Sequence, residues 1–185
     1  MHENADAKLS IACAAIPYLV PNTSIFLDAG TTVMSLVRQL PNQHYTIVTS
    51  GANIAIELSQ RSRSTVSCVG GQISSSTLSL SGPQAEAFLA TVNIDTAVLA
   101  ATGYSAGAGF TVGSYTENSL KRRVIQKADK VILLIDRSKL GRTLPFTFAS
   151  LSDIDVVICD APLPEDFIQA ARAAGTEVLQ VQPAK

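Results

Sequence analysis

SIFLDAGTTVMSLVRQL, residues 24–40, contains a complete structural unit. SIFLD (24–28) is a short apolar run ending on a carboxylate, and DAGTT is a tight loop with a glycine. From Thr32 to Leu40 the apolar residues Val33, Leu36, Val37 and Leu40 recur at helical spacing. The unit therefore reads strand, loop, helix. It recurs at once as YTIVT (45–49), the loop SGAN, a helix through Ile54, Ile56 and Leu58, and the strand STVSCVG (64–70). Strands that are apolar throughout and alternate with helices build a parallel sheet covered on both faces, so the fold class is α/β.

Outward from this unit the theme holds. Upstream, Leu9, Ala12, Cys13, Ile16, Leu19 and Val20 fall on one helical face that Pro21 and Asn22 terminate. Downstream come a helix at Pro83–Leu89, the strand DTAVLAAT (95–102), a polar-faced helix over Tyr115–Ala128, and the strand KVILLID (130–136). DVVICD (155–160), a helix over Glu165–Ala174 and TEVLQV (176–181) complete the series. Two segments are less regular. GGQISSSTLSLSG (70–82) fits either a hairpin or a mobile flap, and GYSAGAGFTVG (103–113) reads as a glycine-dense loop. PFTFASL (145–151) is a candidate interface strand, and Tyr18, Phe88, Phe146, Phe148 and Phe167 are not assignable to core or surface from pattern alone.

With 185 residues, 46% of them hydrophobic, the chain has length and apolar material for one domain over 1–185. Charged residues make up 16%, against about 25% in an average globular protein, which excludes a disordered chain. A net charge of −1 and a pI near 6.1 are a poor match to a phosphate polymer. Cys13, Cys68 and Cys159 are odd in number and far apart, so they read as buried, reduced thiols rather than a disulfide framework or a metal site. With His2 and His44 as the only histidines, a His-based zinc site or a Ser-His-Asp triad lacks material. No metal or cofactor is expected. No secretory h-region or membrane-length apolar run is present, which gives a cytoplasmic expectation and no membrane partner.

Ligands of parallel α/β sheets sit beyond the carboxyl ends of the strands. Asp28-Ala29-Gly30-Thr31-Thr32 follows the first strand, Thr49-Ser50-Gly51 the second, Gly70-Gly71 the third, Gly103 the fourth, and Asp136-Arg137-Ser138-Lys139 the fifth. Glycine allows close backbone approach, and hydroxyls with uncapped amides at a helix start suit an oxyanion. The same turns also serve as ordinary helix starts, where Thr or Asp caps for stability alone. Five such ends on one sheet edge favour a ligand crevice. Neither a lysine-bearing P-loop nor G-x-G-x-x-G is present, which disfavours those two nucleotide devices. Between 121 and 142 lie eight basic residues against Asp129 and Asp136, so this window carries +6 and the rest of the chain −7. Arg122, Lys127 and Lys130 suit a solvated helix face, whereas Lys139, just past a buried strand, suits an anionic ligand.

IFLDAGTT (25–32), YTIVTSGANIA (45–55), VGG (69–71), GY with a following GF (103–110), ENSLKRRVI (117–125), VILLIDRSKLGR (131–142) and LSDIDVVICD (151–160) together resemble the C-terminal effector-sensing domain of DeoR-family transcriptional repressors. The ordered set spans nearly the whole chain. The resemblance implies a fold shared with ribose-5-phosphate isomerase: a Rossmann-like, mostly parallel sheet with helices on both faces and a small appended α/β element. It further implies binding of a phosphorylated sugar or polyol, with DNA contacted only through a winged helix-turn-helix that precedes the sensor and is absent here. A homo-oligomer, dimer or tetramer, is expected. By position, Asp28, Gly30, Thr31 and Thr32 match the phosphate loop, Ser50 the second hydroxyl loop and Gly70-Gly71 the glycine pair, with Gly103 at the fourth strand end. Glu117 and Lys121 match a charged helix closing the pocket, Lys139 the lysine of a D-x-S-K motif, and Lys8 a basic position near the phosphate. Thr49-Ser50-Gly51 stands where Thr-Asn-Ser is usual and Arg137 where His is usual, which bears on sugar selectivity.

A sugar-phosphate isomerase or deaminase of the same fold is the alternative. Isomerisation needs a base near the substrate's second carbon and enediolate stabilisation. The isomerase carries an acidic Asp-Gly-Ala-Asp motif after the strand equivalent to 95–102. Here that stretch is ATGYSAG, leaving Glu117 as the remaining carboxylate base. A non-catalytic sensor is the reading the residues favour.

Overall fold

Helix α1 (Glu3–Ala15) leads through a single 3-10 turn at Ile16–Tyr18 into β1 (Ser24–Leu27), α2 (Thr31–Gln39), β2 (Thr46–Thr49), α3 (Ala52–Arg61) and β3 (Thr65–Cys68). These elements come from a computed structural model, which describes residues 3–61 and 63–182. A short hairpin, β4 (Gln72–Ile73) and β5 (Leu80–Ser81), precedes α4 (Pro83–Ala90) and β6 (Ile94–Ala100). Then follow β7 (Gly103–Ser105), β8 (Gly109–Val112), α5 (Tyr115–Lys127), β9 (Ala128–Ile135), β10 (Phe146–Ala149), β11 (Val156–Asp160), α6 (Glu165–Ala174) and β12 (Glu177–Val181).

Seven strands form one sheet in the order β12-β11-β9-β6-β1-β2-β3, every pair parallel. Alternation along each strand feeds two cores. Ile25, Leu27, Ile132 and Leu134 face one side with Ile11 and Ala15 of α1, Leu36 of α2 and Ile54 of α3. Phe26, Val131, Leu133 and Ile135 face the other with Leu89 of α4, Val124 of α5 and Phe167 of α6. With both faces covered, nearly every position of a central strand is apolar, which is why β9 reads as a continuous run. Helix ends follow local chemistry: α2 stops at Leu40, whose successor Pro41 disfavours helical geometry. Helix α6 opens with Glu165 and Asp166 in its first turn and closes at Gly175, which holds φ 80° in the left-handed region.

The chain steps outward from β1 through β2 to β3, then returns to the other side of β1 and steps through β6, β9, β11 and β12. The reversal falls between β1 and β6, and a crevice opens there beyond the carboxyl ends of the strands.

The appended part is a three-stranded antiparallel sheet, β10-β8-β7, that lies beside α5. Its strands include the segment 103–113, read as a loop because glycines break the alternation that marks a strand. Gly109 at φ 75° is forced by proximity, since a Cβ there would lie 2.4 Å from the Ala149 carbonyl oxygen. The candidate interface segment 145–151 supplies β10, which pairs with β8 inside the chain and buries Phe148. Phe167 is also buried, while Tyr18, Phe88 and Phe146 are half-buried. The segment 70–82 is a hairpin docked on the β2–α3 junction through Leu80 N–H to Ser50 O (2.7 Å) and Ala52 N–H to Leu78 O (3.0 Å).

Two readings need correction. The α1 face is rotated from the one expected: Ala7, Ile11, Ala12 and Ala15 are buried, while Leu9, Cys13 and Val20 are exposed. The packed stripe is built mostly of alanines around Ile11, so it does not stand out from the outer stripe that carries Leu9 and Cys13. Of the three thiols only Cys159 is buried; Cys13 and Cys68 are exposed. Burial pushes the Cys159 thiol well above its ordinary value, reinforced by the charges of Asp160 and Asp136. His2 lies outside the described residues. No helix among the described residues is long and apolar enough to cross a membrane.

Candidate functional site

The first βα turn builds the floor of the crevice. Asp28 leaves the end of β1 buried and is clamped there by three protein groups: Ala100 N–H donates to Oδ2 (3.0 Å), Ser50 Oγ donates to Oδ1 (3.3 Å), and Lys121 Nζ pairs with Oδ2. Gly30 follows with φ 142° and ψ 161°, and no side chain caps α2. The first α2 backbone bond runs from Met34 N–H to Gly30 O, so the amides of Thr31, Thr32 and Val33 lie ahead of the helical ladder. Gly30, Thr31 and Thr32 line a cleft of ≈ 720 Å³, a volume typical of small-molecule sites at roughly 300–1,000 Å³.

The α5 wall of the cleft is an ion cluster. Lys121 is 1% exposed. Besides Asp28, its ammonium donates to Ala100 O at 3.0 Å and lies 3.3 Å from Glu117 Oε1, one helical turn earlier. An ammonium has three N–H donors, and these three partners use them all. Burial alone would push the Lys121 ammonium towards its neutral form; the charge of Asp28, then that of Glu117, outweighs burial and holds its pKa above the ordinary value. Two carboxylates share one cation, leaving the wall with one excess negative charge.

The opposite wall comes from α1 and α2, with Lys8, Ser35 and Arg38 on the cleft. Lys139 reaches it from the turn after β9, where Asp136 fixes the backbone by accepting from the Ser138 N–H (3.1 Å) and the Ser138 hydroxyl. Among the described residues neither Lys8 nor Lys139 has a carboxylate partner.

The residues expected to form a site therefore separate into groups. Gly30, Thr31, Thr32, Glu117, Lys121, Lys139 and Lys8 line one cleft. Asp28 lies beneath it, bound to Lys121. Ser50 is buried and props the loop, accepting from Ala29 N–H (3.1 Å) while donating to Asp28. Gly70 and Gly71 do not line the cleft; with φ of 76° and 91° they turn the chain from β3 into the hairpin. Gly103 does not line it either, and its missing Cβ admits the Arg142 carbonyl oxygen, 2.5 Å from where that atom would lie. Sequence reasoning missed Arg38 and Asn53, on the helices after β1 and β2, and Ser76, Thr77 and Ser79 on the hairpin turn. The SSST run was the one available signal for the last group.

A Rossmann-like body with an ion-clustered cleft at its strand-order reversal is the class of protein that fold and site define. Solved structures agree on the fold: ribose-5-phosphate isomerase A from Methanocaldococcus jannaschii matches at TM-score 0.54 and 18% identity, covering 74% of this chain and 55% of that one. The eIF2B beta subunit from Chaetomium thermophilum matches at 0.57 and 15%, covering 84% and 49%. At these identities the likeness concerns fold alone. Among curated proteins, the HTH-type transcriptional regulator GlpR of Haloferax volcanii is 35% identical over 178 residues, 96% of this chain and 69% of that protein. The HTH-type transcriptional regulator IolR of Bacillus subtilis is 29% identical, covering 90% and 67%. The DeoR C terminal sensor domain model matches residues 3–161, and the chain belongs to that family: it is the sensor domain of a DeoR-type transcriptional regulator.

Proposed function

We propose that the cleft binds a phosphorylated sugar or polyol and that this binding modulates the contact of a helix-turn-helix domain with DNA in the full-length regulator. The observation that carries the reading is the convergence on one cleft of the open α2 amides and of two lysines, Lys8 and Lys139, with no carboxylate partner among the described residues. Helix N-termini and unpaired ammonium groups are complementary to a phosphate. Sugar hydroxyls then meet Thr31, Thr32 and the Glu117 carboxylate.

The role is sensing rather than turnover. The β6 end presents Ala100, Ala101 and Thr102 to the cleft, and Glu117 is held in the Lys121 cluster. For signalling, the effector must bind one quaternary or interdomain arrangement better than another, because a ligand shifts an equilibrium only by its differential affinity. A homo-oligomer, a dimer or tetramer, is part of this proposal. Isothermal calorimetry against a panel of sugar and polyol phosphates tests the reading. One-to-one binding by at least one member is expected, and silence from the whole panel at millimolar concentration overturns it.

A further inference from the structure

We infer that the β3 edge of the central sheet is a self-association surface: two copies pair β3 to β3, antiparallel about a two-fold axis at Ser67, so that one sheet runs through both. The inference rests on the homo-oligomer part of the proposed function and says which surface of the chain makes it.

Three observations carry it. First, β3 is an open edge. It pairs with β2 alone, and among the described residues no other element bonds along its far side. Thr65 N–H goes to Tyr45 O and Val69 N–H to Thr49 O, both at 3.0 Å. Alternation along the ladder therefore turns the N–H and C=O groups of Val66 and Cys68 outward. Second, this edge lacks the charge, proline and bulge that guard sheet edges against pairing. From Ser64 to Ala85 no residue is charged, β3 contains no proline, and its register with β2 runs without a shift. The opposite edge strand, β12, carries the exposed carboxylate of Glu177. Third, large apolar side chains are exposed on the elements that enter and leave β3. Ile56, on the helix α3 that packs on β3, is 61% exposed, and Ile73, on β4, is 55% exposed. Apolar surface of this kind is characteristic of a contact with another chain.

The partner that fits is a second copy. An uncharged edge meets its own image without the penalty that like charges impose across a strand pair. With the two-fold at Ser67, Val66 of each copy faces the partner's Cys68 in a hydrogen-bonded pair, and these pairs satisfy every outward N–H and C=O of β3. Such a contact uses the same patch on both copies, so it closes on itself rather than propagating. A charged peptide laid on this edge would find no countercharge anywhere from Ser64 to Ala85. Val69, Gly70 and Gly71 are all that separate β3 from the hairpin whose turn lines the cleft, which sets the contact beside an element of the site.

Cys68 supplies the probe. In this register the two Cys68 side chains lie on one face of the joined sheet as diagonal neighbours, roughly 7–8 Å apart, within the span of bismaleimidoethane. Cys13 and Cys68 are exposed and Cys159 is buried, so Cys13 serves as the control. Light scattering on the whole chain should show a dimer or a multiple of it. Cys68→Lys changes a side chain that is exposed in the single chain and places like charges across the axis; it should weaken the assembly about tenfold or more. Thermal unfolding establishes that this variant folds; if it does not, cross-linking decides. In Cys13→Ser the reagent should join two copies through Cys68, and in Cys68→Ser, where Cys13 remains, it should not. A chain that stays monomeric at every concentration measured overturns the homo-oligomer proposal and this inference together. An assembly that Cys68→Lys leaves intact, or whose copies the reagent does not join through Cys68, overturns the inference while the homo-oligomer stands.

Discussion

The two edges of the central sheet use the same device to opposite ends. At the amino edge Asp95 accepts from Ser24 N–H (2.7 Å) and Asp155 from Val131 N–H (2.6 Å), each carboxylate exposed and each pinning a neighbouring strand. At the carboxyl edge Asp28 accepts from Ala100 N–H and Asp160 from Arg137 N–H (2.6 Å), but both are buried, 2% and 3% exposed. Water solvates the first pair. The second pair has cations beside it, Lys121 for Asp28 and Arg137 for Asp160, the latter at 3.3 Å, whereas Asp136 at the same edge, also 3% exposed, is held by the Ser138 N–H and hydroxyl. A strand-end carboxylate is thus a structural pin when exposed. Asp28 joins the site through the cation beside it, because Lys121 also faces the cleft.

The largest effect that separates the edges is expected from Lys121→Met. Removing one partner of a fully buried pair leaves Asp28 uncompensated and should cost about 3–5 kcal/mol in chemical denaturation. Combining it with Asp28→Asn removes both charges and should restore most of that loss, since a buried pair replaced whole is often near neutral. A single variant within about 1 kcal/mol of wild type would mean that Lys121 is no better paired than a surface ion. The same cluster has an alkaline signature. Because the Lys121 pKa is raised in the fold, its contribution is present below the ordinary lysine value of 10.5 and is lost as pH rises through the higher folded value. Wild type should lose stability faster than the double variant above that pH.

A middle-sized effect belongs to the cleft. Lys139→Ala should weaken phosphosugar binding about tenfold, roughly 1.4 kcal/mol, with thermal stability unchanged because its ammonium has no carboxylate partner among the described residues. Unchanged affinity by calorimetry would remove Lys139 from the anion site. The smallest effect is at the amino edge. Asp95→Asn should cost about 0.5–1 kcal/mol, reduced by solvent exposure. Hydrogen bonds from the Ser24 backbone and then its hydroxyl hold the Asp95 carboxyl below its ordinary 3.8. Its contribution is therefore present above that pH and lost as pH falls through the lower folded value, and the Asn variant should lack this acid loss. If Asp95→Asn destabilises as much as Lys121→Met, the contrast between the edges is wrong.

The parallel core was legible because both faces of its strands are covered, so IFL, TIV and VILLI announce themselves without any alternation to decode. The phase of α1 was not, since three of the residues on its packed face, Ala7, Ala12 and Ala15, are small, and the exposed Leu9 and Cys13 compete with them in an apolar count. Site residues directly after strands, such as Gly30, Thr31 and Lys139, follow from topology alone. Asn53 and Arg38 sit inside helices, and whether such residues reach a cleft depends on helix rotation. Ser76, Thr77 and Ser79 arrive on a hairpin whose docking depends on two backbone bonds to the β2–α3 junction, and sequence pattern does not encode that.

Amide chemical-shift mapping during titration with a polyol phosphate tests the central claim most directly. The account predicts saturable shifts concentrated at Thr31, Thr32 and Val33, with satellites at Asn53 and Lys139. Shifts centred instead on the outer face of α5, around Ser119 and Arg122, or none at the α2 amides at saturation, would contradict it.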